Sequence, residues 1–257
     1  MMSKRQRFVI SSALLSLGFV GLQFLEGSWR YSGIGGLALL TIILFAWSLK
    51  EGLSKNLTLL TLVLPAVFTL GVGLFWFLLP SSIIAKIPIV ILYGLGIYAL
   101  CLTANIYTVA AIRTIALLRS ARGVGFVFTL LTAFLVFDTI LSLKAQIWVN
   151  FILVVLLAFP LFLQGLWAST LEEHFSRDLL TSSLAFSLIL GEMTVVLFFW
   201  PVTLVVGSLF LTVGLYMLLG LGQAKLEGRL YTQIIKEYLV IFLLVVLGMF
   251  IATRWGQ

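Results

Sequence analysis

Long apolar runs are the feature that most restricts how this chain can fold. Each run is close to the roughly 20 residues that an α-helix needs to cross a bilayer core of about 30 Å. Membrane β-barrels instead alternate apolar and polar residues, and the run from Phe151 to Phe159 does not alternate. Because only 10% of the residues are charged and 62% are hydrophobic, a soluble domain would lack the charge to cover its surface. The sequence therefore predicts an all-α integral membrane protein.

The number and length of the apolar runs predict a polytopic bundle of about nine transmembrane helices in a single domain, residues 1–257. We place the spans at 8–26, 32–49, 57–79, 87–110, 123–142, 147–168, 179–200, 202–221 and 237–253. The first run follows basic residues, as the apolar part of a signal peptide does, but no small-residue cleavage site follows it. We therefore interpret it as a retained first span.

The distribution of Lys and Arg predicts the orientation, because cytoplasmic loops carry an excess of both residues. With the N-terminus in the cytoplasm, the inner side of the membrane receives most of the basic residues: Lys4, Arg5, Arg7, Lys50, Lys55, Arg113, Arg119, Arg122, Arg177, Lys225, Arg229 and Lys236. The outer side receives Arg30, Lys86, Lys144 and Arg254. The prediction is a multipass protein of the cell membrane with a cytoplasmic N-terminus and an external C-terminus.

A weak internal repeat relates two parts of the chain, residues 32–142 and 147–253. Trp47 and Gly71 in the first part correspond to Trp167 and Gly191 in the second, at an offset that stays near 120 residues. Spans two to five and six to nine would then be parallel repeats, which is one known plan for transporters. The alternative is coincidence, since helices rich in Leu and Phe resemble one another.

The formal net charge of +7 indicates contact with lipid rather than with nucleic acid, because the basic residues lie between apolar runs. Two connections stand out, one with Arg113, Arg119 and Arg122 and the other with Lys225 and Arg229. Each predicts an amphipathic helix at the membrane surface or a span that protrudes from it. Their partners would be anionic lipid head groups or another membrane protein, and plain interfacial anchoring is the simpler alternative.

Four polar residues inside the predicted spans are candidates for function. Glu192 is the clearest. Burying an unpaired polar group costs about 2–7 kcal/mol, and an ionised carboxylate within a span costs at least as much unless it is paired, protonated or hydrated. Such residues generally face the bundle interior, and we expect the same here; a single interhelical hydrogen bond from a protonated Glu192 is the alternative. Asp138 lies near a span end within reach of Lys144. Asn105 and Gln164 either bond to another helix or line a path.

One short motif resembles a known family. Glu172-Glu173-His174-Phe175-Ser176-Arg177 resembles the first motif of the CPBP family of intramembrane proteases. The resemblance implies that the two glutamates activate water together with histidines from two later motifs. His174 is the single histidine of the chain, so that set is incomplete, and we interpret the motif as a charged cytoplasmic loop. With one Cys and one His, the sequence predicts no metal site, no cofactor and no catalytic residues.

Three classes of function fit these features. A transporter for an ion, a lipid or a small, weakly polar solute is slightly favoured, because Glu192 and the polar side of span four could line a path. A non-catalytic structural or accessory subunit of a membrane complex is the main alternative and needs no polar path. A degenerate protease related to the CPBP family is a remote third.

Overall fold

Nine α-helices make up most of the part of the chain that the computed structural model describes, residues 3–25, 27, 29–53, 57–79, 83–111, 116–172 and 174–253. They are α1 (Lys4–Gly21), α2 (Trp29–Leu49), α3 (Val63–Trp76), α4 (Ile83–Ala110), α5 (Leu118–Ser142), α6 (Ile147–Thr170), α7 (Arg177–Phe198), α8 (Leu204–Leu226) and α9 (Thr232–Ala252). Short 3₁₀ segments, Leu22–Phe24 and Leu57–Leu62, follow α1 and precede α3. The predicted polytopic helical bundle is thus confirmed.

Eight of these helices are long and apolar enough to cross a membrane, when the 3₁₀ segment is counted with α3. α1 is not among the eight. Its first turns carry Lys4, Arg5 and Arg7, so its apolar part begins at Phe8. Together with the 3₁₀ segment Leu22–Phe24, that part extends over about 27 Å, which is close to the roughly 30 Å of a bilayer core. The described residues thus contain eight helices with the length and composition of a span and a ninth, α1, whose basic first turns set it apart.

Local capping explains where two helices begin. The Ser3 hydroxyl accepts a hydrogen bond from the Gln6 backbone N–H, and the Gln6 side chain accepts one from the Ser3 backbone N–H. This capping box satisfies two amides that the helix itself cannot satisfy. The Ser176 side chain caps α7 in a similar way, by accepting from the Leu179 N–H.

Three helix ends differ from the predicted span limits at the connections that carry basic residues. α5 begins at Leu118, α8 continues to Leu226, and α9 begins at Thr232. Arg119 and Arg122 thus lie in the first turns of α5, and Lys225 lies in the last turn of α8. Of the two structures predicted there, the protruding span fits the described residues better than a separate surface helix.

Contacts divide the chain into two compact units. The first contains residues 1–128 and 171–174, and the second contains 129–170 and 175–257. The boundary falls within α5, and the predicted repeat of residues 32–142 and 147–253 stays a prediction.

The first unit is built around a buried cluster of aromatic rings and hydroxyl groups. The Phe19 ring lies 5.0 Å from that of Trp76 and 4.8 Å from that of Tyr93. The Thr69 hydroxyl lies 3.0 Å from both the Thr41 hydroxyl and the Tyr93 hydroxyl. Hydrogen bonds of this kind between membrane helices are worth about 0.6 kcal/mol each, and together they tie α2, α3 and α4.

The second unit depends on close packing at glycines. α6 packs most extensively against α7, and a Cβ at Gly191 of α7 would lie 2.6 Å from Val155 Cγ2 and 2.7 Å from the Phe151 ring. α8 joins α6 through the Gln223 side chain, whose Nε2 donates to the Gly165 carbonyl at 2.9 Å. α9 packs mainly against α8, and most of its surface is exposed.

Candidate functional site

Glu192 of α7 is exposed, so the expectation that it faces the bundle interior is wrong. It belongs to the exposed stripe, a row of residues on one face of α7 that recurs every three or four positions: Thr181, Leu184, Ala185, Leu188, Glu192, Val196 and Phe199. Apart from Thr181 and Glu192 these residues are apolar. Glu192 lies six residues before the end of α7 at Phe198, which is about 9 Å along the axis. A carboxylate at this depth meets hydrocarbon or another protein.

Asp138 of α5 is buried and accepts a hydrogen bond from the Ser208 hydroxyl of α8 at 3.1 Å. Its partner is thus a hydroxyl group of another helix rather than Lys144. Ser208 also lies within 3.0 Å of the Val205 carbonyl. Asp138 therefore joins α5 to α8 inside the second unit, which agrees with a structural role.

Two amide side chains among the described residues of the second unit are also buried, and both are on α6. Gln164 is a predicted candidate, and its Oε1 atom has no hydrogen-bond partner among the described residues. Asn150 was not predicted, and its Oδ1 atom is in the same state. On α4 of the first unit, Asn105 is half-buried, and its carbonyl accepts from the Thr108 hydroxyl at 3.0 Å. Gln164 and Asn150 are buried whereas Glu192 is exposed, so the polar residues of the second unit do not converge on one path.

The basic residues at the helix ends occupy different environments. Arg119 and Lys225 are exposed, Arg122 is half-buried, and Arg113 lies outside the described residues. Arg229 is exposed and forms an ion pair with Glu227 in the turn before α9. Exposed pairs of this kind contribute about 0–1 kcal/mol.

An ion cluster between α1 and α2 escaped prediction from the sequence. Arg7 is only 5% exposed, and its Nη2 pairs with Glu51, which follows the end of α2. Lys4 Nζ lies 3.0 Å from the same carboxylate. One turn further along α1, the Ser11 hydroxyl lies 2.7 Å from the Ser48 hydroxyl of α2. Hydrogen bonds from Arg7 and Lys4 lower the pKa of Glu51 from its ordinary value of 4.5.

The cluster has a signal in the sequence that could have revealed it. α1 and α2 form a hairpin, so the start of α1 and the end of α2 lie at the same end of the unit. The acid at position 51 then faces the basic residues at positions 4 and 7. Within the described residues, the Nε and Nη1 atoms of Arg7 have no hydrogen-bond partner, so this arginine depends on Glu51 for its compensation.

The structure describes only some of the residues that resemble the protease motif. Glu172 is half-buried, His174 is exposed, and Glu173 lies outside the described residues. In the part of the chain that the structure describes, no three His, Cys, Asp or Glu side chains are grouped so that they could hold a metal ion.

Comparison with known proteins gives a family but no activity. The model of the family described as "Protein of unknown function (DUF5656)" matches residues 10–252, which include all of α2 to α9 and most of α1. Neither the curated proteins nor the solved structures contain a match to this chain. Since the family model covers nearly the whole chain, this multipass helical membrane protein belongs to the DUF5656 family.

Proposed function

We propose that this protein is a non-catalytic subunit of a membrane complex. In this proposal the exposed stripe of α7 binds a transmembrane helix of a different protein, and that helix carries a Lys or Arg at the depth of Glu192. The observation that carries the proposal is the position of Glu192, an acid on an otherwise apolar exposed surface.

The energetics of a carboxylate in hydrocarbon favour such a partner. A charged residue at the centre of a spanning helix costs about 2.5–3.5 kcal/mol on insertion scales. Water in a path between helices, protonation or a nearby cation would reduce that cost. An internal path does not serve Glu192, because its side chain is on the outside of the second unit. A cation from another helix removes the cost and keeps the charge, and charge complementarity also selects the correct partner.

Transport, which the sequence slightly favoured, loses its main support in this geometry. A path would need Glu192 to lie beside the other polar groups of its unit. Asp138 and Gln164 are instead buried between helices, while Glu192 faces away from them. An accessory subunit requires no such convergence.

Variants at Glu192 test the proposal through the amount of complex that co-purifies with the tagged protein. We expect Glu192→Gln to reduce the recovered partner about tenfold and Glu192→Leu to reduce it further, because an unpaired cation would remain on the partner helix. The measurement is quantitative mass spectrometry after gentle solubilisation.

Leu209 of α8 supplies the matched control. It is 48% exposed and lies about 8 Å from the start of its helix, at a depth similar to that of Glu192. Leu209→Gln should leave the complex unchanged, and an acid moved to this position in the Glu192→Leu, Leu209→Glu variant should not restore it. If Glu192→Leu retained the full amount of partner, the proposal would be wrong.

A further inference from the structure

A cavity of about 250 Å³ opens at one end of the second unit. The α5–α6 turn and the α7–α8 turn form its walls, with Lys144 and Asn150 on one side and Trp200 and Thr203 on the other. Pockets for drug-sized ligands usually have volumes of roughly 300–1,000 Å³. This cavity is therefore suited to a smaller group, and its chemistry is independent of the stripe that contains Glu192.

Asn150 provides the first sign of a ligand. Asn150 is one of the residues that line the cavity, and it is only 5% exposed. Its Nδ2 faces the Ala145 carbonyl at 3.5 Å, which sets the orientation of the amide because the opposite orientation would place two oxygen atoms together. The Oδ1 atom is then a buried acceptor with no partner among the described residues. A buried acceptor of this kind is costly unless a donor reaches it.

Positively charged groups beside the same cavity favour an anion. Lys144 carries an exposed ammonium group at the rim. The first turn of α8, with Leu204 in the wall, presents amides that the helix cannot satisfy internally. The N-cap residue Thr203 makes no side-chain capping bond to them. The positive end of a 23-residue helix and a lysine thus lie beside the same cavity.

The backbone at Lys144 makes it possible to test the side chain. Lys144 has a φ of 47° and, like Leu171 with a φ of 54°, lies in the left-handed region that ends many helices and favours glycine. A lysine here accepts backbone strain that glycine would avoid. The position therefore also offers an unusually clean test, because replacement by glycine removes the ammonium group while relaxing the backbone.

Apolar residues complete the wall and indicate the source of the ligand. Leu141, Leu197 and Phe198, in the last turns of α5 and α7, line the cavity. We propose that the cavity binds a phosphate group that has an N–H or O–H donor next to it, and that this is the head group of a phospholipid such as phosphatidylethanolamine or phosphatidylglycerol. The phosphate contacts Lys144 and the first turn of α8, the donor reaches Asn150 Oδ1, and the acyl chains extend along the apolar wall.

Short-chain phospholipids titrated into the purified protein test this proposal. Phosphatidylcholine is the matched ligand, because it has the same phosphate but no N–H or O–H donor. We expect dihexanoyl phosphatidylethanolamine and phosphatidylglycerol to bind about tenfold more tightly than dihexanoyl phosphatidylcholine, which is the usual effect of one hydrogen bond to a buried acceptor. Native mass spectrometry and the ligand-induced rise in Tm provide two readouts.

Two variants separate binding from folding. Lys144→Gly should weaken binding of all three lipids about tenfold while the Tm of the lipid-free protein stays the same or rises. Asn150→Leu should raise the lipid-free Tm, because the unpaired acceptor is gone, and it should abolish the preference over phosphatidylcholine. Lys225→Gln, in the last turn of α8 at its other end, should bind as the unmodified protein does.

Further measurements decide whether the ligand is a lipid or a soluble molecule, and they can overturn the proposal. Phosphoethanolamine that binds as tightly as the lipid would support the same site and assign it to a soluble molecule. Equal affinity for phosphatidylcholine and phosphatidylethanolamine would overturn the proposal. Unchanged binding in both Lys144→Gly and Asn150→Leu would also overturn it.

Discussion

Replacing Gly191 with leucine is expected to separate α6 from α7 and to cause a large loss of stability. Even a Cβ at this position would lie 2.6 Å from Val155 Cγ2 and 2.7 Å from the Phe151 ring. Overpacking of this kind usually costs about 1–3 kcal/mol, and a leucine adds three more carbon atoms to a contact that has no space for the first. We expect the Tm of the solubilised protein to fall more than it does when a glycine at an open site is replaced by leucine.

Gly248 of α9 is the control, because no atom lies within 4 Å of a Cβ at that position. Gly248→Leu should leave the Tm unchanged or raise it slightly, since leucine has a higher helix propensity than glycine. Equal Tm values for Gly191→Leu and Gly248→Leu would show that α6 and α7 do not pack as described.

Reversing the charge of Glu51 is expected to have the second large effect. Glu51→Lys would place a third cation beside Lys4 and the buried Arg7, which depends on this carboxylate for compensation. Glu51 is itself half exposed, but Arg7 is buried, and removing the partner of a buried charge is destabilising. We expect a large fall in Tm, and the exchange variant Arg7→Glu, Glu51→Arg should recover part of it because the pair is restored with opposite polarity.

The pair of Glu227 and Arg229, in which the arginine is exposed, offers the comparison for this experiment. Glu227→Lys should lower the Tm less than Glu51→Lys does, because it leaves no buried cation without its partner. A Glu51→Lys protein as stable as the Glu227→Lys protein would contradict the ion cluster between α1 and α2.

The same cluster predicts how stability depends on pH. The pKa of Glu51 is lowered in the folded protein from its ordinary value of 4.5. Its ionised form therefore stabilises the fold above about pH 4.5, and this contribution disappears as the pH falls through the lower folded pKa. The difference in Tm between the unmodified protein and Glu51→Gln should stay constant near neutral pH and close in that acidic range. A difference that persisted at pH values below the folded pKa would exclude this origin.

The helices could be predicted well because the hydrocarbon core imposes a simple rule. A run of about 20 apolar residues has few alternatives to a spanning helix, and α2, α4, α6 and α7 lie close to their predicted limits. α1 begins at Lys4, four residues before its predicted span, because the Ser3 cap and the basic residues extend the helix. α9 begins five residues earlier than expected, at Thr232, because the polar residues before Lys236 continue the helix beyond the apolar run.

The environment of each polar residue was harder to predict than the helices themselves. The position of Glu192 along α7 follows from the sequence, but the direction of its side chain does not. Leucine and valine occur on every face of α7, so the pattern does not distinguish a face that packs on α6 from one that meets lipid. Asn150 escaped notice for a related reason, since its unpaired acceptor becomes apparent only when α6 and its preceding turn are placed together.

The central claim is that Glu192 contacts a cation on another protein. A photo-crosslinking amino acid at Leu188, one turn from Glu192 on the exposed stripe, tests it most directly because the carboxylate is kept. We predict one discrete adduct in native membranes, and its crosslinked peptide should lie in a transmembrane helix of a different protein, next to a Lys or Arg. The adduct should disappear when Glu192→Leu is added, and the same probe at Leu209 should react with lipid. Adducts of position 188 with lipid alone, or with a peptide of this same chain, would contradict the account.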